Sequence, residues 1–309
     1  MIANLFSKTK PLNYLLSLIL LILVLIVRLV FKNSSSNSGL FIAEEIGLFV
    51  LLLGIVFLTD FISIKNELVR NNNYALLLFV SFLLFFPTFY MNRTSIIANF
   101  FVLLALRRLL SLKSLNQIKE KIFDASFWIF LATLFHFWSI LFIILVFIAI
   151  IFHAYTDYRN WIIPFIAFFI VAILFFIAND FSNQTLLPEL LLKSNYSLDF
   201  SYFSSIYQRF ALAFFSSISV LFFVTYLFDI PNKVLNAQAS HKIIALYFLI
   251  GVVIYVLSIS KNNGILAFCF APLAIMGANF IEKTVDNKIK DIVLYTILIM
   301  GLLFFSLQL

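Results

Sequence analysis

Apolar runs of about 12 to 20 residues, separated by short polar turns, recur along all 309 residues of the chain. A helix of about 20 predominantly apolar residues is long enough to cross a bilayer. We therefore predict an all-α fold, a polytopic transmembrane helical bundle forming one integral membrane domain over residues 1–309. The predicted spans are 12–31, 46–64, 74–90, 95–106, two arms within 123–152, 161–178, 210–228, 243–257, 265–281 and 292–309.

The apolar run at 123–152 decides the predicted topology, because it is too long for one ordinary span and short for two. A hairpin that breaks near Trp138 gives about 11 spans, with most of the 21 Lys and Arg residues on the cytoplasmic side. One long helix gives about 10 spans and turns the basic segments around Lys233 and Lys283 outward. The excess of Lys and Arg in cytoplasmic loops favours the hairpin. The N-terminus is then cytoplasmic and the C-terminus extracytoplasmic, in the cytoplasmic (inner) membrane.

Two polar segments stand out between the spans. Residues 107–122 place leucines on a helical stripe among five Lys and Arg residues, which is typical of an interfacial amphipathic helix on an anionic leaflet. Residues 179–209 form the longest stretch between spans in the second half of the chain, and the hairpin makes them extracytoplasmic. Within them, LLPELLLK predicts a short amphipathic or re-entrant piece.

Composition supports lipid as the solvent and excludes several classes of function. The chain is 63% hydrophobic and 11% charged, against roughly 45–50% and about 25% in soluble domains. The lone Cys269 and three dispersed histidines indicate neither a disulfide framework nor a metal site. No phosphate-binding glycine motif occurs. We expect membrane lipids as partners and no nucleic acid. We also expect no cofactor, although a divalent metal is left open.

Charged residues that would sit at the extracytoplasmic ends of spans are the candidates for chemistry. Glu44 and Glu45 would open the second span, where they serve either as helix caps or as a catalytic base. Arg93 and Arg209 would lie at helix ends, where a guanidinium binds either a substrate phosphate or the phosphate of a neighbouring lipid. The remaining candidates for substrate binding are Asn92, Tyr207 and Lys261.

Acidic residues inside the apolar runs indicate no ion pathway. Asp60, Asp124, Asp157 and Asp229 all fall near predicted cytoplasmic ends. A transporter with an ion site at the midplane is therefore disfavoured.

The order of these parts resembles the GT-C class of membrane glycosyltransferases, which take a sugar from a polyprenyl-phosphate donor. A first helix is followed by an outer loop with an acidic residue, several short spans, a cytoplasmic amphipathic helix and a longer outer segment. The resemblance implies that Glu44 or Glu45 acts as the base and that Arg93 and Arg209 hold the donor phosphate. The donor would be a polyprenyl-phosphate-linked sugar used in the assembly of an envelope glycan or glycoprotein.

The alternative is a non-enzymatic subunit or scaffold of an envelope assembly, export or motility complex. Its outer segment would be a docking surface, and its protein partners are unknown. The transferase needs Glu44 or Glu45 to converge with Arg93 and Arg209, whereas the scaffold does not.

Overall fold

The computed structural model describes residues 2–31, 39–199, 202–203, 205–259 and 261–308. These residues form helices and connecting turns, with no β-strand among them, so the all-α fold class is confirmed. The α-helices are α1 (Ile2–Phe6), α2 (Pro11–Phe31), α3 (Gly39–Lys65), α4 (Tyr74–Leu84), α5 (Arg93–Leu110), α6 (Ile118–Phe135), α7 (Ile143–His153), α8 (Arg159–Phe181), α9 (Leu186–Ser194), α10 (Ile206–Asp229), α11 (Leu235–Leu257), α12 (Ala267–Lys283) and α13 (Asn287–Gln308). Short 3₁₀ helices lie at Pro87–Met91, Ser111–Ser114, Phe137–Phe142, Ile230–Asn232 and Asn263–Leu266.

Seven segments in the described part of the chain are long and apolar enough to cross a membrane. They are Ala43–Lys65, Arg93–Ser114, Arg159–Phe181, Ile206–Asn232, Leu235–Leu257, Asn263–Lys283 and Asn287–Gln308. Three shorter apolar helices are Pro11–Leu23, Tyr74–Leu84 and Phe137–His153. These helices fit a polytopic membrane protein, while the count of about 11 spans stays a prediction.

The chain folds into two compact units, each assembled from separated stretches of sequence. The first unit comprises residues 1–93, 203–231 and 269–309, and the second comprises residues 94–202 and 232–268. That division does not test the predicted single integral membrane domain, which stays a prediction.

Helix α4 lies at the centre of the first unit. Each of its eleven residues is buried, and it packs against α1, α2, α3 and α13. Lipid tails are as apolar as leucine, so close packing rather than transfer out of water holds such a helix in place.

Phenylalanine rings fill the core of the first unit. Phe270 is fully buried, and five other rings lie with centroids 5.5 to 6.2 Å from its own. Most of these pairs are tilted or edge-to-face, the arrangements that the ring quadrupole favours. Beside them Gly277 lets α12 approach closely, because a Cβ there would lie 2.6 Å from the Phe222 ring and 2.7 Å from Leu78.

The second unit contains the predicted hairpin segment. Its α6 packs along α8 and against α7. The helix breaks at His136, where the backbone is extended, and a 3₁₀ turn leads into α7. The His136 ring lies 3.1 Å from the hydroxyl of Ser258. The alternative of one continuous helix over 123–152 is therefore wrong.

The predicted amphipathic helix at 107–122 is also wrong. Helix α5 continues to Leu110, and the chain then reverses through Leu115 and Gln117, whose φ angles are 55° and 50°. Two of the cations that were expected on lipid bind protein groups instead. Arg108 pairs with Asp124 at 2.9 Å, and the ammonium of Lys121 donates to the carbonyl of Ser111 at 2.9 Å.

Two further boundaries differ from the prediction. Helix α3 begins at Gly39 rather than at residue 46, so Glu44 and Glu45 belong to the helix and not to a loop. Helix α4 ends at Leu84, because Pro87 cannot donate to the helix and opens a 3₁₀ turn instead. Of the outer loop predicted at 31–45, residues 32–38 lie outside the described residues.

Candidate functional site

Arg93 and the two glutamates meet at one end of α3 and α5, within the first unit. The Arg93 guanidinium forms an ion pair with the Glu44 carboxylate and lies 3.7 Å from a carboxylate oxygen of Glu45. One terminal nitrogen of the guanidinium faces Glu44, and the other faces Glu45. We call these three residues the Arg93 cluster.

The two glutamates of the Arg93 cluster have different surroundings. Successive helical residues project about 100° apart. The Glu44 side chain is 55% exposed, whereas that of Glu45 is 4% exposed. The capping alternative for this pair is wrong, because helix-dipole effects fade beyond the first turn and α3 begins five residues before Glu44. Glu45 is thus the carboxylate held inside the protein.

Arg209, the other predicted arginine of the first unit, does not join these carboxylates. The Arg209 side chain is exposed, and its Nε donates to the carbonyl of Phe203 at 2.6 Å. Within the described residues it forms no ion pair. Tyr207 is exposed in the first turn of α10, and Asn92 ends the 3₁₀ turn that precedes Arg93. Arg93 therefore converges with Glu44 and Glu45 whereas Arg209 does not, so the convergence that the transferase requires is met only in part.

Lys261 belongs to the second unit and binds the segment 179–209, which was predicted to be extracytoplasmic. It is 1% exposed, and its ammonium donates to the carbonyls of Ser197 and Ser258. The amide of Ser197 donates to the carbonyl of Leu257 at 3.3 Å. Desolvation lowers the pKa of Lys261, while the nearby Asp199 carboxylate acts in the opposite direction. Lys261 therefore contributes an anchor for residues 195–199.

The model of a family of unknown function, DUF6427, matches residues 1–309. The chain belongs to the DUF6427 family. Neither a curated protein nor a solved structure matches it.

A second polar cluster of this DUF6427 chain is absent from the predicted set. Asp60, 2% exposed in α3, accepts from the Tyr14 hydroxyl at 2.5 Å and from the Asn73 amide at 3.3 Å. The same Asn73 side chain accepts from the amide of Asn13 at 3.1 Å. Asp60 has no cation beside it in the part of the chain that the structure describes.

An available signal could have found this cluster. An ionisable residue inside an apolar run is a candidate for a special role by default. Asp60 was not predicted as a site residue because it was expected near the cytoplasmic end of its helix. Its pairing with Tyr14 and Asn73 leaves no pattern in the sequence spacing.

Metal ligands are not gathered at either cluster of the DUF6427 chain. In the described ranges, no three His, Cys, Asp or Glu side chains lie close enough together to hold a metal ion. Glu44 and Glu45 could supply two carboxylates to a divalent ion, and Arg93 already offsets one of their two negative charges.

Replacing Lys261 by methionine should loosen the segment at 195–199. The change keeps an apolar stem of similar length but removes the donor to Ser197, a bond to a charged group that is worth roughly 1.5 kcal/mol. We expect the Ser197 amide to exchange about tenfold faster in hydrogen-exchange mass spectrometry. The same change at the exposed Lys242 is the control. Unchanged exchange at Ser197 would rule out the anchoring role.

Proposed function

We propose that this chain is a multi-pass membrane glycosyltransferase similar to the GT-C class, acting on a polyprenyl-phosphate-linked sugar at the outer leaflet. The observation that carries the proposal is the Arg93 cluster, in which a buried carboxylate and a guanidinium meet at the ends of two apolar helices. Glu45 acts as the general base, and Arg93 binds the donor phosphate.

The chemistry of sugar transfer calls for these two groups. A carboxylate removes the proton of the acceptor hydroxyl as that oxygen attacks the anomeric carbon. The bond from the anomeric carbon to the phosphate oxygen breaks, and negative charge grows on the departing polyprenyl phosphate. A fixed guanidinium stabilises that charge more strongly in a site that excludes water. Glu45 is buried, at 4% exposure, whereas the Arg93 side chain beside it is 39% exposed.

The exposed glutamate explains how Arg93 could bind a phosphate. Both partners of the Arg93–Glu44 pair are partly exposed, at 39% and 55%. An ion pair of that kind contributes only about 0–1 kcal/mol. A donor phosphate can therefore displace Glu44 from the guanidinium, while Glu45 remains beside it.

The proposed orientation follows from charge. The basic turns at Lys65–Arg70 and Lys283–Lys290 face the cytoplasm of the inner membrane, and the Arg93 cluster faces the outside. With the hairpin at 123–152, the chain makes about 11 spans, the N-terminus is cytoplasmic and the C-terminus is extracytoplasmic.

A non-enzymatic subunit of an envelope complex is the second candidate. The observation that favours it is that two cations predicted to bind the substrate instead donate to backbone carbonyls. Arg209 binds Phe203, and Lys261 binds Ser197. Both contacts order the outer segment, as a docking surface requires.

The test compares Glu45→Gln with Glu44→Gln in the purified full chain. Polyprenyl-phosphate glucose and polyprenyl-phosphate mannose serve as donors, and release of polyprenyl phosphate is measured. Loss of a general base should lower turnover at least about a hundredfold in Glu45→Gln. Glu44→Gln should change it by only a few-fold, because its exposed ion pair is weak.

Thermal unfolding of both variants separates loss of the base from loss of the fold. A folded Glu45→Gln protein with wild-type turnover contradicts the role of Glu45. A wild-type protein that consumes neither donor contradicts the transferase and favours the subunit.

A further inference from the structure

An apolar groove in the second unit lies between α6, α8 and α9. It encloses about 220 Å³. Leucines and other apolar side chains form its walls, and Glu189 and Lys193 of α9 are the charged residues that line it. For comparison, an internal cavity of about 150 Å³ with Leu, Ile and Phe walls stays dry and takes up benzene. The groove therefore suits a hydrocarbon ligand.

The groove lies where a hydrocarbon chain is available. Helix α8 is long and apolar enough to span the bilayer, and only 17% of its most apolar stretch is buried within the protein. The wall residues from Val171 to Ala178 cover about 10 Å along α8. Helix α9 begins five residues after α8 ends, so connectivity puts it at the membrane surface. The groove thus extends from the interface into the hydrocarbon region.

Helix α9 supplies both apolar and charged side chains to the groove. Leu186 and Leu190 line it one turn apart, and Glu189 and Lys193 line it with the same spacing. Lys193 lies 3.9 Å from Glu189, and both side chains are at least half exposed. Such a pair contributes little. A lipid phosphate at the membrane surface can therefore replace Glu189 as the partner of Lys193.

We propose that this groove binds one acyl chain of an anionic membrane phospholipid, with Lys193 contacting the lipid phosphate. The lining identifies the occupant, because Lys193 is the cation beside the apolar walls and its exposed pair with Glu189 is weak enough for a phosphate to replace. The site does not depend on the proposed transferase activity, since it contains no residue of the Arg93 cluster.

The experiment measures lipid binding to the purified full chain by native mass spectrometry. Dioleoyl-phosphatidylglycerol and dioleoyl-phosphatidylcholine are the two probes, which share their chains and differ in net charge. The wild type should bind phosphatidylglycerol about tenfold more tightly, and Lys193→Gln should remove that preference. Ala178→Trp, which fills the groove from an exposed position, should weaken binding of both lipids.

Matched variants control for nonspecific effects. Lys288→Gln removes an exposed cation of the first unit, and Ile177→Trp adds an indole beside the groove; both should bind like the wild type. Glycerol 3-phosphate, which carries the charge without chains, should not compete. Equal affinity of the wild type for both lipids, a preference that survives Lys193→Gln, or binding that survives Ala178→Trp would each overturn the proposal.

Discussion

Replacing Asp60 by leucine should destabilise the first unit by about 3 kcal/mol. The change deprives the Tyr14 hydroxyl and the Asn73 amide of their acceptor, and each buried polar group that loses its partner costs about 1–3 kcal/mol. The side-chain oxygen of Asn73 also accepts from the backbone amide of Lys10, and the backbone amide of Asn73 donates to the carbonyl of Phe6. The loss should therefore loosen α1 and α2 together.

Unfolding of the purified protein in detergent micelles, followed by helix content, measures this free energy. Asp60→Asn keeps an acceptor for Tyr14 and should cost much less. Phe61→Leu, at the exposed neighbouring position, should stay within about 0.5 kcal/mol of the wild type. In a Tyr14→Phe background, which lacks the hydroxyl, Asp60→Leu should destabilise the protein less than it does in the wild type. An Asp60→Leu protein as stable as the wild type contradicts the proposed role of this network.

Replacing Phe270 by alanine should cost about 3–4 kcal/mol. The substitution leaves a cavity among five rings, and the surrounding helices can close it only in part. The cost arises from lost packing contacts, because transfer of a phenyl ring between protein and lipid contributes little.

The matched change for Phe270→Ala is Phe228→Ala, since Phe228 is 77% exposed. Its cost should be within about 0.5 kcal/mol. The same micelle unfolding experiment compares the two variants. Equal destabilisation by both would show that the rings around Phe270 do not act as a packed core.

The apolar pattern predicts the helices well because each span must satisfy its own backbone in lipid. The break at His136 could be predicted from the length of the apolar run at 123–152 and from the distribution of Lys and Arg residues between the loops. The reversal at Leu115 and Gln117 carried no such signal. Neither residue is Gly or Pro, and tertiary contacts such as the Arg108–Asp124 pair hold the turn.

The candidate site was predictable only in part. Glu44, Glu45 and Arg93 could be grouped because their helix ends share one predicted face of the membrane. Sequence alone could not tell which glutamate is buried, since that depends on the rotation of α3. It also could not show that Arg209 and Lys261 bind backbone carbonyls, because such partners leave no pattern in the residue types.

The assembly of the first unit from distant stretches affects its biosynthesis. Helix α4 packs against α13, and the amide of Ala3 donates to the Asp291 carboxylate at 2.9 Å. About 200 residues separate α4 from α13, which at about 5–20 residues per second takes roughly ten seconds or more to synthesise. During that interval the early helices are in the membrane without their final neighbour. Chaperones or the insertion machinery therefore have a defined period in which to shield α4.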